Sequence, residues 1–339
     1  IRDLVRSRGL GDVYKRQVMV KLQLFGAAKE VGRSCAFVRE KDKAVFFDSG
    51  LKIFDEPEDD DKAFYDIHGR KITSKKKRDK SEKYPLHHNL EADALFLSHA
   101  HLDHSGAIPL YHSMGAPYKV FCTQTTSLLA ELLVRDSYKI DMINKEKPLY
   151  KKSDITSAFE NIKRVSNGKP GVHNRIKFFF HHAGHIPGSS SVSVSMNKKK
   201  IIYTGDLKFN DTRLMKGASY DFESPDIMIM ESTYSDREHP DREEQENDFV
   251  MNIKKTINDG GSVIIPTFAV GRMQEILLIL SRHDFDAPIY LDGMGKKVTE
   301  LVLSNPYTIK NADLLRRKYA EAKKIGYMKQ RKQIFNRQG

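Results

Sequence analysis

ADALFLSHAHLDH, residues 92–104, passes within a few positions from an apolar run to three histidines and an aspartate. The apolar part reads as a buried strand running into polar residues. Imidazole and carboxylate are the donors that Zn²⁺ and similar cations prefer. Side chains alternate across an extended chain, so His99 and His101 point the same way and can share one metal. Asp103 and His104, after the chain turns, can address a second metal close by. A histidine-rich polar loop is the bland alternative, and four ligand-type residues in this order argue against it.

Working outward, the flanking segments read as short strands and tight turns. Upstream lie KLQLFGAA (21–28), CAFVRE (35–40) and AVFFDSG (44–50), the last two joined by the polar turn Lys41-Asp42-Lys43. Downstream, YKVFC (118–122) is a strand and TSLLAELLVRDSYKI (126–140) an amphipathic helix. IKFFF, VSVSM, IIYTGD and DIMIMEST are further strands. After Glu238 the character changes. REEQENDFVMNIKKTIN, GRMQEILLILSR and KKVTELVL read as helices alternating with the strands SVIIP (262–266) and PIYLD (288–292), an alternation that argues for a parallel βαβ layer. The expected fold class is therefore α/β. Residues 1–17 show no clean periodicity and are expected to be a non-native leader, with Met19 the natural start. Residues 18–238 form the first domain and 239–339 part of a second. Residues 55–90, with nine acidic and nine basic side chains, form a charged surface insertion in the first.

Composition narrows the class. The chain has 339 residues, 39% hydrophobic and 30% charged, which fits a globular protein with a sizeable core. No apolar run approaches the roughly 20 residues needed to span a bilayer as a helix, so a membrane protein is not expected. Cys35 and Cys122 cannot build a disulfide scaffold and fit a reducing compartment, so the expected location is the cytoplasm. The net charge of +12 is concentrated at the ends, +3 within residues 1–17 and +8 within 310–339. As a sign of a polyanionic partner it is therefore weak, and the basic tail is more simply a solvated helix face.

Two later residues fit as completing ligands. His185 lies in the glycine-bracketed loop AGHIPGS (183–189), and Asp206 ends the strand of YTGD (203–206). Arg272 begins a helix and can meet a phosphate there, although a structural arginine fits equally well. Gly293-Met294-Gly295-Lys296 reads as a bare loop–helix junction. His181, His182, His112, His87 and His88 belong to no motif.

The H-x-H-x-D-H run, with a downstream loop histidine and a Gly-Asp, resembles the metal signature of the metallo-β-lactamase fold, a four-layer αββα sandwich. VFFDSG resembles that superfamily's first motif. MESTY (230–234), IPTFAVGR (265–272) and FGAAKEVGRSC (25–35) are similar to the β-CASP nucleases, whose α/β domain is inserted in the lactamase domain. The match is nearest to the archaeal relatives of the cleavage and polyadenylation specificity factor nuclease, with ribonuclease J next, and covers about residues 19–310.

The resemblance implies a zinc-dependent ribonuclease with two Zn²⁺ per complete active site, single-stranded RNA as partner, and a homodimer as an open question. His99, His101 and His185 would hold the first metal. Asp103, His104 and the bridging Asp206 would hold the second, and Asp48 would orient a ligand histidine. Glu231 would pair with a later histidine in protonating the leaving oxygen. Family members continue beyond the insertion with two more histidine motifs, and the chain is expected to be C-terminally truncated before them. Two rivals stand: a small-molecule hydrolase of the same fold, and a non-catalytic scaffold subunit of an RNA-processing complex.

Overall fold

A computed structural model describes residues 20–52, 80–85, 90–219, 222–283, 285 and 287–336. The expected leader lies outside these residues, as does most of the expected charged insertion.

Two sheets dominate. The first has six strands in chain order: β1 (Lys21–Gly26), β2 (Cys35–Glu40), β3 (Lys43–Phe47), β4 (Ala94–Phe96), β5 (Lys119–Thr123) and β6 (Lys163–Val165). The β1–β2 and β2–β3 pairs are antiparallel, and β3 through β6 run parallel. The second sheet holds β7 (Pro170–His173), β8 (Ile176–His182), β9 (Ser190–Met196), β10 (Lys199–Tyr203) and β11 (Ile227–Ile229), antiparallel except for the last pair. Asn197 and Lys198, both at positive φ, turn the chain between β9 and β10, the geometry of a two-residue hairpin.

The period of two decides what each strand buries. Phe47, Phe96 and Phe121 face Phe178, Phe180, Val192, Val194 and Tyr203, forming the core between the sheets. Their neighbours Phe46, Leu95 and Leu97 face the opposite way. They pack under α1 (Leu102–Ser105), α2 (Ile108–Ser113), α3 (Gln124–Ile143) and α4 (Lys152–Glu160), which contribute Ile108, Leu110, Leu129, Val134, Ile155 and Phe159. A strand buried on both faces needs an unbroken apolar run, which is what Ala94–Leu97 supplies. The result is an α/β sandwich in which three of the four expected layers are formed by these elements.

The remaining elements are α5 (Arg242–Asn258), α6 (Arg272–Leu280), β12 (Tyr290–Leu291), α7 (Gly295–Leu303), α8 (Ala312–Glu321), β13 (Lys323–Lys324) and α9 (Met328–Asn336). Val298 and Val302 of α7 join the core above α3. Leu277, Leu278, Leu291 and Leu315 close a separate cluster on Leu214 and Met215. The expected strand at 262–266 is not formed, because no strand among the described residues lies beside it to complete a ladder. β12 pairs in parallel with β13 instead. Beside this stretch a cleft of about 740 Å³ opens, lined by Ile253, Ile257, Ile276, Leu280 and Ile289 and by none of the histidines. No helix among the described residues is long and apolar enough to cross a membrane.

Candidate metal centre

β3, β4, β8, β10 and β11 all end at one edge of the sandwich, and each delivers a polar residue there. Asp48 follows β3, His99 follows β4, His185 follows β8, Asp206 follows β10 and Glu231 follows β11. Ser190 N–H donates to the Ser98 carbonyl at 2.9 Å, tying the two sheets together beside the site. Gly205, at φ +55°, passes so close to Ser98 that a Cβ would stand 2.6 Å from the serine's own, so only glycine fits.

Three imidazoles form a triangle. The ring centroids of His99, His101 and His185 are 5.0 Å apart on every side, with interplanar angles of 80–82°. His101 Nδ1 and His185 Nε2 approach to 3.2 Å. Asp206 lies between this triangle and His104. Its Oδ2 is 3.7 Å from His99 Nε2 and 3.5 Å from His185 Nε2, and its Oδ1 is 3.3 Å from His104 Nε2. Asp103 Oδ2 reaches the same His104 nitrogen at 3.7 Å.

Burial, then the repulsion of His104, holds the His99 imidazole far below its ordinary pKa. Burial and His185 bring His101 down to about 4, and burial also lowers His185 against the pull of Asp206. Burial resists ionisation of Asp206, but His104 and His99 outweigh it and keep the carboxylate charged. Three neutral imidazoles with lone pairs converge on one anion, and the buried His99 Nε2 has no hydrogen-bond partner. That donor set and that orphaned nitrogen fit a divalent metal. His99, His101, His185 and Asp206 each offer a ligand atom within 4.8 Å of the others.

Asp48, His99 and His104 form a second such group, but the oxygens of Asp48 are already engaged. Asp48 is buried at φ +58°, a left-handed conformation that Asp tolerates better than most side chains. Its Oδ1 accepts from Ser98 N–H at 2.7 Å. Its Oδ2 accepts from Ser98 Oγ and Tyr203 OH, each at 2.7 Å, and lies 2.6 Å from His104 Nδ1. With the proton on Nδ1, His104 would present its Nε2 lone pair to a cation held beside Asp206 and Asp103. Burial opposes charge on His104, while Asp206 and Asp48 outweigh it and raise its pKa well above the ordinary value.

Glu231 sits against the Asp206 turn, where its Oε1 accepts the Leu207 N–H at 2.8 Å. The exposed Arg272 lies near enough to His185 to act on its charge. The Gly293–Lys296 junction is structural, with Lys296 Nζ donating to the Ile325 carbonyl. His181 bonds Ser193 Oγ at 2.9 Å and His182 the Lys216 carbonyl at 3.0 Å, away from the cluster. Two positioning features escaped sequence reasoning. Thr123 and Thr126 both donate to the Gly188 carbonyl at 2.8 Å, clamping the loop of His185. Tyr203 holds Asp48 across 155 residues of chain. Neither carries a motif.

Residues 69–231 match a family described as the metallo-β-lactamase superfamily domain. The chain carries a metallo-β-lactamase domain. Asp48 lies ahead of the matched stretch, yet the contacts above make it part of the same site. The chain is 37% identical over 305 residues to the probable RNase MJ4 of Methanocaldococcus jannaschii, covering 88% of this chain and 65% of that one. It is 31% identical over 299 residues to the RNase aCSPSF2 of Saccharolobus solfataricus, covering 88% and 56%. It is 32% identical over 264 residues to cleavage and polyadenylation specificity factor 73 of Drosophila melanogaster, covering 77% and 36%. The chain thus spans under two thirds of the length of each of these relatives.

Proposed function

We propose that this metallo-β-lactamase chain supplies the catalytic part of a zinc-dependent ribonuclease that hydrolyses phosphodiester bonds of single-stranded RNA, in 3′-end processing or decay. The observation that carries the reading is Asp206 standing between two donor sets. His99, His101 and His185 face its Oδ2, and His104, with Asp103 behind it, faces its Oδ1. Two ions fit that arrangement, and nitrogen-rich tetrahedral sites favour zinc over magnesium or calcium. Zinc at such a site supplies Lewis acidity, lowering the pKa of water and neutralising charge that builds on a phosphate.

The chain's own residues do the holding. Asp48 fixes the ring and tautomer of His104, Asp206 spans both sets, and the Thr123–Thr126 clamp on Gly188 steadies the His185 loop. We read residues 18–238 as the metallo-β-lactamase domain and 239–339 as part of a β-CASP domain, on the strength of MESTY and IPTFAVGR. RNA as substrate is supported by the printed names of the relatives, two of which are called RNases. The buried free thiols of Cys35 and Cys122 support a reducing, cytoplasmic setting.

Purification without chelators, followed by elemental analysis and incubation with labelled single-stranded RNA, tests the reading. Bound zinc approaching two ions per chain and cleavage of the RNA are expected. Thioester turnover with the RNA left intact would favour the small-molecule hydrolase, and the absence of any transition metal would remove the metal centre altogether.

A further inference from the structure

The cations near the metal centre divide into paired and unpaired. Arg213 and Arg242 share the buried Glu246, and Arg242 also bonds Glu275 at 2.6 Å. Elsewhere the half-buried Lys43 and Lys52 have their own carboxylates, Asp93 and Glu30, each at 3.0 Å. Lys208 and Arg272 differ. Among the described residues, neither head group has a hydrogen-bond or ion-pair partner. Glu275 is close to Lys208, but its oxygens already accept Arg213 N–H, Leu214 N–H and Arg242 Nη2.

Both residues are fixed to the loops that carry metal-centre side chains. Lys208 stands two residues after Asp206. Its backbone N–H donates to the Ala183 carbonyl at 3.0 Å, and its own carbonyl accepts from Ala218 N–H at 2.8 Å. Gly184, at φ +72°, leaves room for that carbonyl, which a Cβ would meet at 2.3 Å. Arg272 opens α6 directly after Gly271, whose backbone rests on Ile186, the neighbour of His185. Both residues thus flank the 183–186 loop, and burial, then Arg242 and Arg272, oppose the charge on Lys208. Half-burying Lys208 beside other cations without a counter-ion costs free energy, and an anionic ligand relieves that cost, with the exposed Arg272 free to meet the same ligand.

We propose that Lys208 and Arg272 form a phosphate-binding pair that seats an RNA backbone phosphate flanking the one at the metal centre. This rests on the ribonuclease reading and adds Lys208 to it. The lysine contributes a compact ammonium with three donors, the arginine a planar fork suited to two oxygens of one phosphate. Neither reads a base, so the pair contributes affinity and register without sequence preference.

The test is equilibrium binding of a short fluorescent single-stranded RNA, made resistant to cleavage by phosphorothioate linkages, measured across a salt series with the zinc-loaded protein. Lys208→Gln and Arg272→Gln are each expected to weaken binding about tenfold, the worth of a charge-assisted hydrogen bond. Each should lower the slope of log affinity against log salt by about 0.7, one phosphate contact on a single strand. Lys208→Arg should keep the wild-type slope, and Lys177→Gln, an exposed lysine on β8, should change neither quantity. Arg272 is exposed, so its variant reads the contact even if Lys208→Gln loosens the fold. Unchanged slopes in both Gln variants, or an equal loss in Lys177→Gln, would overturn the pair while leaving cleavage by the wild-type protein intact. A wild-type protein that neither binds nor cuts RNA would overturn both the pair and the ribonuclease reading.

Discussion

Ala94-Leu95-Phe96 and Val263-Ile264-Ile265 are both short apolar runs followed by residues of functional interest, and they end differently. The first is β4, with β3 and β5 hydrogen-bonded on either side and its side chains at most 1% exposed. The second forms no ladder, and Ile264 is 69% exposed. Intrinsic preference points the other way, since Val and Ile favour strands more than Ala and Leu do. What decides is the neighbour, because a strand exists only where another edge satisfies its N–H and C=O groups. The histidines that follow β4 inherit that rigidity, which is what a preformed ligand set requires.

Breaking the rigid region at its chemistry should have the largest effect. His101→Ala removes one corner of the imidazole triangle from a partly exposed position. Metal content should fall and RNA cleavage drop roughly a thousandfold or more, the several kcal/mol a catalytic metal contributes, while the far-UV spectrum is unchanged. Cleavage within tenfold of wild type would mean that the triangle is not the reaction centre.

The comparison itself is tested by a matched pair of truncations. Phe96 is fully buried among Phe47, Phe121, Phe178 and Phe180. Phe96→Ala should cost about 3–5 kcal/mol in denaturant unfolding. Ile264→Ala should change stability by no more than about 0.5 kcal/mol, as for an exposed residue. Comparable losses would show that the 262–266 stretch is packed in solution as tightly as β4.

The same contrast explains what was legible in the sequence. The strands and helices could be read because they announce themselves by period, the sandwich they build was expected only from family likeness, and the cluster at 99–104 could be read because four ligand-type residues fall within six positions. The role expected of Asp48 rested on family likeness, and the structure gives it His104 as a partner. The strand at 262–266 misled because periodicity describes a segment's faces and is silent about its neighbour. The basic tail, read as one solvated helix face, is two helices separated by β13, since Lys323 and Lys324 find the edge of β12. Tyr203, Thr126 and Lys208 were invisible for a different reason. Their partners lie far away in sequence, or in the case of Lys208 are absent among the described residues, and topology alone brings them to the site.

Asp48→Asn sharpens the question of how far support extends beyond the ligands. Asn accepts the left-handed backbone, so the fold should survive. It removes the charge that secures the Nδ1 proton of His104, and zinc affinity should fall about 10–100-fold. Competition with a chromophoric chelator measures this, and an unchanged affinity would show that Ser98 and Tyr203 suffice to hold the ring through the neutral amide. Thr126→Val leaves the Thr123 donor to the Gly188 carbonyl in place and should cost only about 1 kcal/mol of stability. A loss as large as that of Phe96→Ala would make the clamp a principal element of the fold.

The smallest effect is expected at Glu231, where family likeness and structure point to different roles. Likeness makes its carboxylate one half of a proton-donating pair. In the structure its Oε1 accepts the Leu207 N–H, one residue past Asp206, so its visible work is to hold the turn that aims Asp206. Glu231→Gln separates the two roles. The amide oxygen still accepts the Leu207 N–H, so a residue that only positions should keep cleavage within about tenfold and leave the pH–rate profile in place. A proton carrier loses its exchangeable acid, and such groups are worth about 10²–10⁴-fold in rate. Glu231→Ala completes the set by removing the acceptor as well. If the backbone contact is what matters, Ala should lower zinc retention and activity together, and Gln should restore both. A loss of two orders of magnitude or more in Gln, with zinc content intact and one limb of the pH profile gone, would return Glu231 to the chemistry and leave its bond to Leu207 as the means of aiming it.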